Sequence, residues 1–122
     1  MFRVAVCVTG QKTCKRLINH GSKLARTLKG DIIVVHVAKS GEDFLENKNT
    51  GAALDYLYLA AKRAGAEMYV ERADDVLEAL VNFLQQYEVT HAVMGAEKGS
   101  QSSEFVHRLA VRLPQLQIDI VP

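Results

Sequence analysis

Strand-type and helix-type patterns take turns along this chain, and that alternation constrains the fold more than any single motif. Val4 to Val8 and Ile32 to Val37 are short runs rich in β-branched residues, the pattern of parallel strands covered on both faces. After the first run, Leu17, Gly21, Leu24 and Leu28 recur at helical spacing, with Lys15, Arg16, Lys23 and Arg26 elsewhere on the wheel and Gly30 as the stop. Leu54, Leu57, Ala61 and Ala64 repeat the pattern and end at Gly65. Leu77, Leu80, Leu84 and Tyr87 make a third helix, opened by Asp75 with Glu78 three residues on. Phe105 or Val106, Leu109 and Leu113 make a fourth, halted by Pro114. Further strands fall at Met68 to Glu71, His91 to Met94 and Gln117 to Val121. The order β-α-β-α-β-α-β-α-β predicts an α/β fold, a three-layer, doubly wound, Rossmann-like five-stranded parallel sheet with four helices. Parallel neighbours require right-handed crossovers, which put helices on both faces.

A chain of 122 residues is one domain's worth, so a single domain over 1–122 is expected. Its composition, 48% hydrophobic and 24% charged, is that of a soluble globular protein. The net charge of +1, with no basic run beyond Lys12 to Arg16, lacks the footprint of nucleic-acid binding by counterion release. No apolar run is long enough to span a bilayer and no signal-peptide pattern opens the chain, so membrane insertion is not expected and a cytoplasmic location is. Two cysteines fit neither a disulfide framework nor a zinc set. Cys7 reads as core and Cys14 as a helix residue of open reactivity.

Doubly wound sheets bind ligands at the carboxyl ends of the strands, where the strand order reverses. The loops after the first, second and fourth strands are therefore the places to search. The first, in VCVTGQKTCKR, has a strand, a glycine, Lys-Thr and then a helix. It is not a P-loop, because Gln11 precedes the lysine and the position of the first glycine falls inside the apolar run. What remains at Thr9, Gly10, Gln11, Lys12 and Thr13 is a strand-to-helix turn of small polar residues, an anion-site geometry. The loop after the fourth strand, MGAEKGSQSSEF, is richer. Gly95 and Gly99 permit close backbone approach, and Ser100, Gln101, Ser102 and Ser103 crowd a helix start whose free N–H groups favour anions. A serine cap with no ligand accounts for the same residues. The two loops together, with Lys12 and Lys98 adding positive charge, favour an anionic ligand. Val37 and Ala38, at the end of the second strand, complete the candidate site. The segment from Ser40 to Thr50 is either a lid or a solvated connection.

Catalysis has no named candidate. None of His20, His36, His91 and His107 has a partner at the i, i+4 spacing of a helical metal site. His36 and His91 read as structural and His20 and His107 as surface residues. The acidic pair of a response regulator is missing after the first strand, and no local triad signature is present.

The order of elements, with VAVCVTG, IIVVHVA and MGAEKGS, resembles the universal stress protein family over essentially the whole chain. More narrowly, VCVTGQKTCKRLINHGSKLARTLKGDIIVVHV is similar to the stress-protein-like domain of Kdp-type potassium-sensing histidine kinases, with Arg16-Leu17-Ile18 at the matching helix start. The resemblance implies a five-stranded parallel sheet, a homodimer and, in one branch, ATP held by a Gly-x-x-Gly-(nine residues)-Gly-Ser/Thr motif after strand four. Here Gly95 matches the first glycine, Gly99 comes one residue late, and Leu109-Ala110 stands where Gly-Ser/Thr would. Relatives that recognise cyclic di-AMP use a Ser-x-Ser after strand one, at positions held here by Thr9 and Gln11. The expected function is a non-catalytic, nucleotide-binding sensory or regulatory module that requires no cofactor, with ATP, AMP or cyclic di-AMP as candidate ligands. The alternative is a ligand-free module that dimerises or docks to a sensor kinase in potassium or stress signalling.

Overall fold

The computed structural model describes residues 1–8, 11–39, 50–95 and 100–122, with the backbone course only at 11–13, 39, 50–54 and 100–103. In chain order the elements are β1 (Arg3–Cys7), α1 (Gln11–Leu28), β2 (Asp31–Lys39), α2 (Thr50–Arg63), β3 (Glu67–Ala73), α3 (Val76–Gln86), β4 (His91–Gly95), α4 (Ser100–Arg112) and β5 (Gln117–Val121). All neighbouring strands are parallel, in the order β3-β2-β1-β4-β5. The expected five-stranded, doubly wound α/β architecture is thus the observed one.

Each face of the sheet carries its own core. Val4, Val6 and Val8 turn toward α1 and α2, where they meet Leu17, Ile18, Leu57 and Ala61. Ala5 and Cys7 turn the other way, toward Leu80, Phe83 and Leu84 of α3 and Leu109 of α4. This is the period-two alternation of a strand buried on both sides.

The helix ends follow local chemistry, with one correction. Asp75 caps α3 by accepting from the Glu78 amide at 3.1 Å. Gly65, at φ 72°, closes α2 as expected. At the end of α1, however, the left-handed residue is Lys29, at φ 55°, and Gly30 does not have a positive φ. Gly30 is needed for a different reason: a Cβ there would collide with the Phe2 carbonyl, which accepts the Asp31 amide at 3.1 Å to start β2 beside β1. The second and third strands also run longer than their hydrophobic runs. An unbroken register from Ile33↔Glu67 to Lys39↔Ala73 carries both past the last apolar residue, because backbone pairing rather than side-chain type sets their ends.

Candidate functional site

Strand order reverses between β1 and β4, which lie side by side and lead to β2 and β5 in opposite directions. Cys7 pairs with Val35 on one side and Met94 on the other, so the exit of β1 stands between those of β2 and β4. The helices that follow, α1 and α4, lie on opposite faces of the sheet and begin at this carboxyl end. Gln11, Lys12 and Thr13 form the first turn of α1, and Ser100, Gln101, Ser102 and Ser103 form the first turn of α4. Two helix N-termini, whose first N–H groups have no intrahelical partner, thereby flank the switch point from opposite faces. Thr9, Gly10, Lys98 and Gly99 lie outside the described residues, as does most of the segment from Ser40 to Thr50.

The described part of the floor is apolar. Val37 packs toward the α3/α4 side, and Ala38 is buried on the last turns of β2 before Lys39. Gly95 closes β4 beside Val121. A Cβ on Gly95 would stand 3.5 Å from Leu17 Cδ1, an ordinary contact, and its φ is not positive. Among the described residues neither packing nor backbone conformation accounts for a glycine there. Leu109, at the position of the family motif's later glycine, is fully buried in the α3/α4 core.

His36 is the residue that sequence reasoning undervalued. It is 4% exposed, and its Nδ1 lies 2.7 Å from the carbonyl oxygen of Val8, the last residue before the Thr9-Gly10 turn. The Val8 amide in turn donates to the Val35 carbonyl at 3.0 Å. An Nδ1–H that donates to Val8 fixes where the chain leaves the sheet. Burial lowers the pKa of His36; the Val8 carbonyl opposes that shift, and the Arg72 charge adds to it. The ring is therefore neutral at pH 7 and serves as a brace. Arg72, abreast of Ala38 on β3, is an exposed cation at the same carboxyl edge. Its position at the end of an edge strand was the available signal.

The other histidines divide as expected. His107 is exposed, and His91 is partly buried, with Nδ1 2.9 Å from Thr90 Oγ1. His20 is exposed and pairs with Asp119 at 3.1 Å, joining α1 to β5. Cys14 turns fully inward, and desolvation raises its pKa; burial pushes the Cys7 thiol up to about 12. Burial thus favours the protonated thiol at both positions. Among the described residues no group of three or more His, Cys, Asp or Glu side chains is placed to hold a metal ion, and no helix is long and apolar enough to cross a membrane.

No family model matches the chain. Sensor protein KdpD from two strains of Mycobacterium tuberculosis, CDC 1551 / Oshkosh and ATCC 25618 / H37Rv, is 30% identical over 99 residues. That alignment takes in 81% of this chain and 11% of the length of KdpD. Among solved structures, a universal stress protein from Archaeoglobus fulgidus superposes with a TM-score of 0.72 at 16% identity, over 100% of this chain and 94% of that one. A universal stress protein in complex with cAMP gives 0.73 at 16% identity, covering 99% and 97%. The A. fulgidus protein in complex with dAMP gives 0.67 at 14% identity, covering 100% and 98%. The fold of this chain is that of the universal stress proteins.

Proposed function

We propose that this chain is a single regulatory module of the universal stress protein type, akin to a segment of KdpD, which binds an adenine nucleotide and does not turn it over. The observation that carries the reading is the convergence of the β1 and β4 exits, each feeding a helix N-terminus, at one switch point. Phosphates would lie against the first turns of α1 and α4, with positive charge from Lys12 and Lys98. Gly95 supports the reading, since no contact among the described residues requires glycine at this strand exit, where a ligand would approach the backbone. The cAMP and dAMP complexes of proteins with this fold point to the same ligand class. Two lysines that hold ground and transition states alike would not lower a hydrolytic barrier.

The test is thermal unfolding with ATP, AMP and cyclic di-AMP. A ligand at about 100 times its dissociation constant adds roughly 2.7 kcal/mol, a rise on the order of 10 °C for a domain of this size. Gly95→Ala has room against Leu17 and is expected to fold normally yet lose most of the rise. Gly99→Val should lose it as well. No shift with any of the three nucleotides at millimolar concentration rejects the reading, and steady ATP hydrolysis with magnesium rejects its non-catalytic part.

One observation favours a second reading, a dimerisation or kinase-docking module without ligand. β5 is an edge strand on which Ile120 is 44% exposed, so its unpaired backbone groups and an apolar side chain face outward together. A twofold dimer through β5 should dissociate in Ile120→Pro while the subunit stays folded. Light scattering that reports a monomer at high micromolar concentration removes the dimer and leaves only docking to a kinase.

A further inference from the structure

Independently of any nucleotide, we infer that the groove between α1 and α2 is a docking site for an acidic segment of a partner protein, one that carries an apolar or aromatic side chain among its carboxylates. The groove encloses about 690 Å³ on the outer side of the α1/α2 layer. It is distinct from the switch point, for none of Val37, Ala38 and Gly95 lines it. Lys15 and Arg26 of α1 and Arg63 of α2 stand around it, and none of its lining residues is acidic. Its walls include Tyr56 and Leu59, which are 41% and 52% exposed, and Ile18 and Ala60 contribute apolar surface beneath.

Among the described residues no carboxylate pairs with these charges. From Gln11 to Leu28, α1 contains no aspartate or glutamate, so no i, i+4 carboxylate offsets its lysines and arginines. Among the described residues the ion pairs are Arg3–Asp31, His20–Asp119 and Arg112–Glu78, and none of Lys15, Arg16, Lys23, Arg26, Lys62 and Arg63 takes part. A chain whose net charge is only +1 therefore gathers on one helical layer six cations that pair with no carboxylate among the described residues. Complementarity calls for a negative partner. The apolar floor narrows the class. Duplex nucleic acid and anionic lipid are both met by flat cationic surface, whereas a recess with an exposed tyrosine and leucine at its wall suits a side chain inserted between carboxylates.

The experiment uses the full chain and defined polyanions. A fluorescent glutamate–tyrosine random copolymer is expected to bind saturably, at least about tenfold more tightly than polyglutamate of equal length, and more weakly as salt shortens the screening length. Arg26→Glu with Arg63→Glu should weaken the copolymer about tenfold or more. Tyr56→Ser with Leu59→Ser should bring it down to the polyglutamate level. All four side chains are exposed, and circular dichroism checks that each variant is folded. Backbone amide shifts on copolymer addition should map to α1 and α2. The proposal is overturned if the copolymer does not saturate, if polyglutamate binds equally well, or if either folded variant binds like the parent. It is also overturned if duplex DNA or phosphatidylserine vesicles bind more tightly than the copolymer.

Discussion

The two helical layers on either side of the sheet are closed to different degrees. On the α3/α4 side, Tyr69, Phe83 and Tyr87 pack ring against ring, with centroids 4.6 to 5.4 Å apart. Arg112 of α4 forks onto the Glu78 carboxylate of α3 at 2.5 and 3.0 Å, and Arg3 reaches around to the Tyr87 carbonyl at 2.7 Å. On the α1/α2 side, small residues at the sheet, Gly21, Ala25 and Ala61, draw the helices in closely. Tyr56 and Leu59 face outward there, and no ion pair among the described residues joins α1 to α2. The first layer closes on itself through stacked rings and the Arg112–Glu78 pair. The second leaves an open, cation-lined groove, the face on which docking is proposed.

The largest effect that tests this division is truncation on the closed side. Phe83→Ala removes a buried ring from the centre of the aromatic group and should cost about 3–5 kcal/mol. Leu59→Ala on the open side should stay within about 0.5 kcal/mol, because its side chain is already half in water. Urea midpoints for the two variants measure the contrast directly. Comparable losses would mean that Leu59 holds the fold together and that the open layer is not free for a partner.

The fold was legible because its signals are local. Period-two and helical spacing marked all nine elements, and β5 falls on Gln117–Val121, the expected residues. What depends on distant contacts was not legible. Gly30 looks like a helix stop in sequence, and only the neighbouring Phe2 carbonyl reveals that it serves strand pairing. His36 acts on Val8, 28 residues away, so no spacing rule connects them. The groove is equally invisible: Tyr56 and Leu59 are simply the positions that the Leu54, Leu57, Ala61, Ala64 pattern leaves over. At the switch point, sequence reasoning brought together the first turns of α1 and α4, Val37, Ala38 and Gly95, but Arg72 escaped it, because β3 carries no loop motif.

The smallest expected effect concerns acidity, and it also separates the layers. His36 is the one buried polar residue among those described, and it lies on the α1/α2 face beside Val8. The ionisable group buried against the other layer is the Cys7 thiol, which stays neutral up to about pH 12. Burial lowers the His36 pKa from the ordinary 6.5, opposed by its bond to Val8 and assisted by Arg72. Below pH 6.5 the unfolded chain therefore takes up a proton that the folded chain refuses, and proton uptake by the unfolded state alone lowers stability. The contribution of His36 is complete above 6.5 and declines as pH falls from there toward the depressed folded value. Urea unfolding from pH 7.5 to 5.5 should show the midpoint falling, and His36→Asn, whose side-chain amide can still donate to Val8, should flatten the fall. Hydrogen-exchange protection factors over the same range should drop first in α1 and β1 near Val8, with α3 and α4 following later. Equal pH dependence in His36→Asn, or earlier opening of α3, would place the acid-sensitive point elsewhere and remove His36 as the group that distinguishes the two layers.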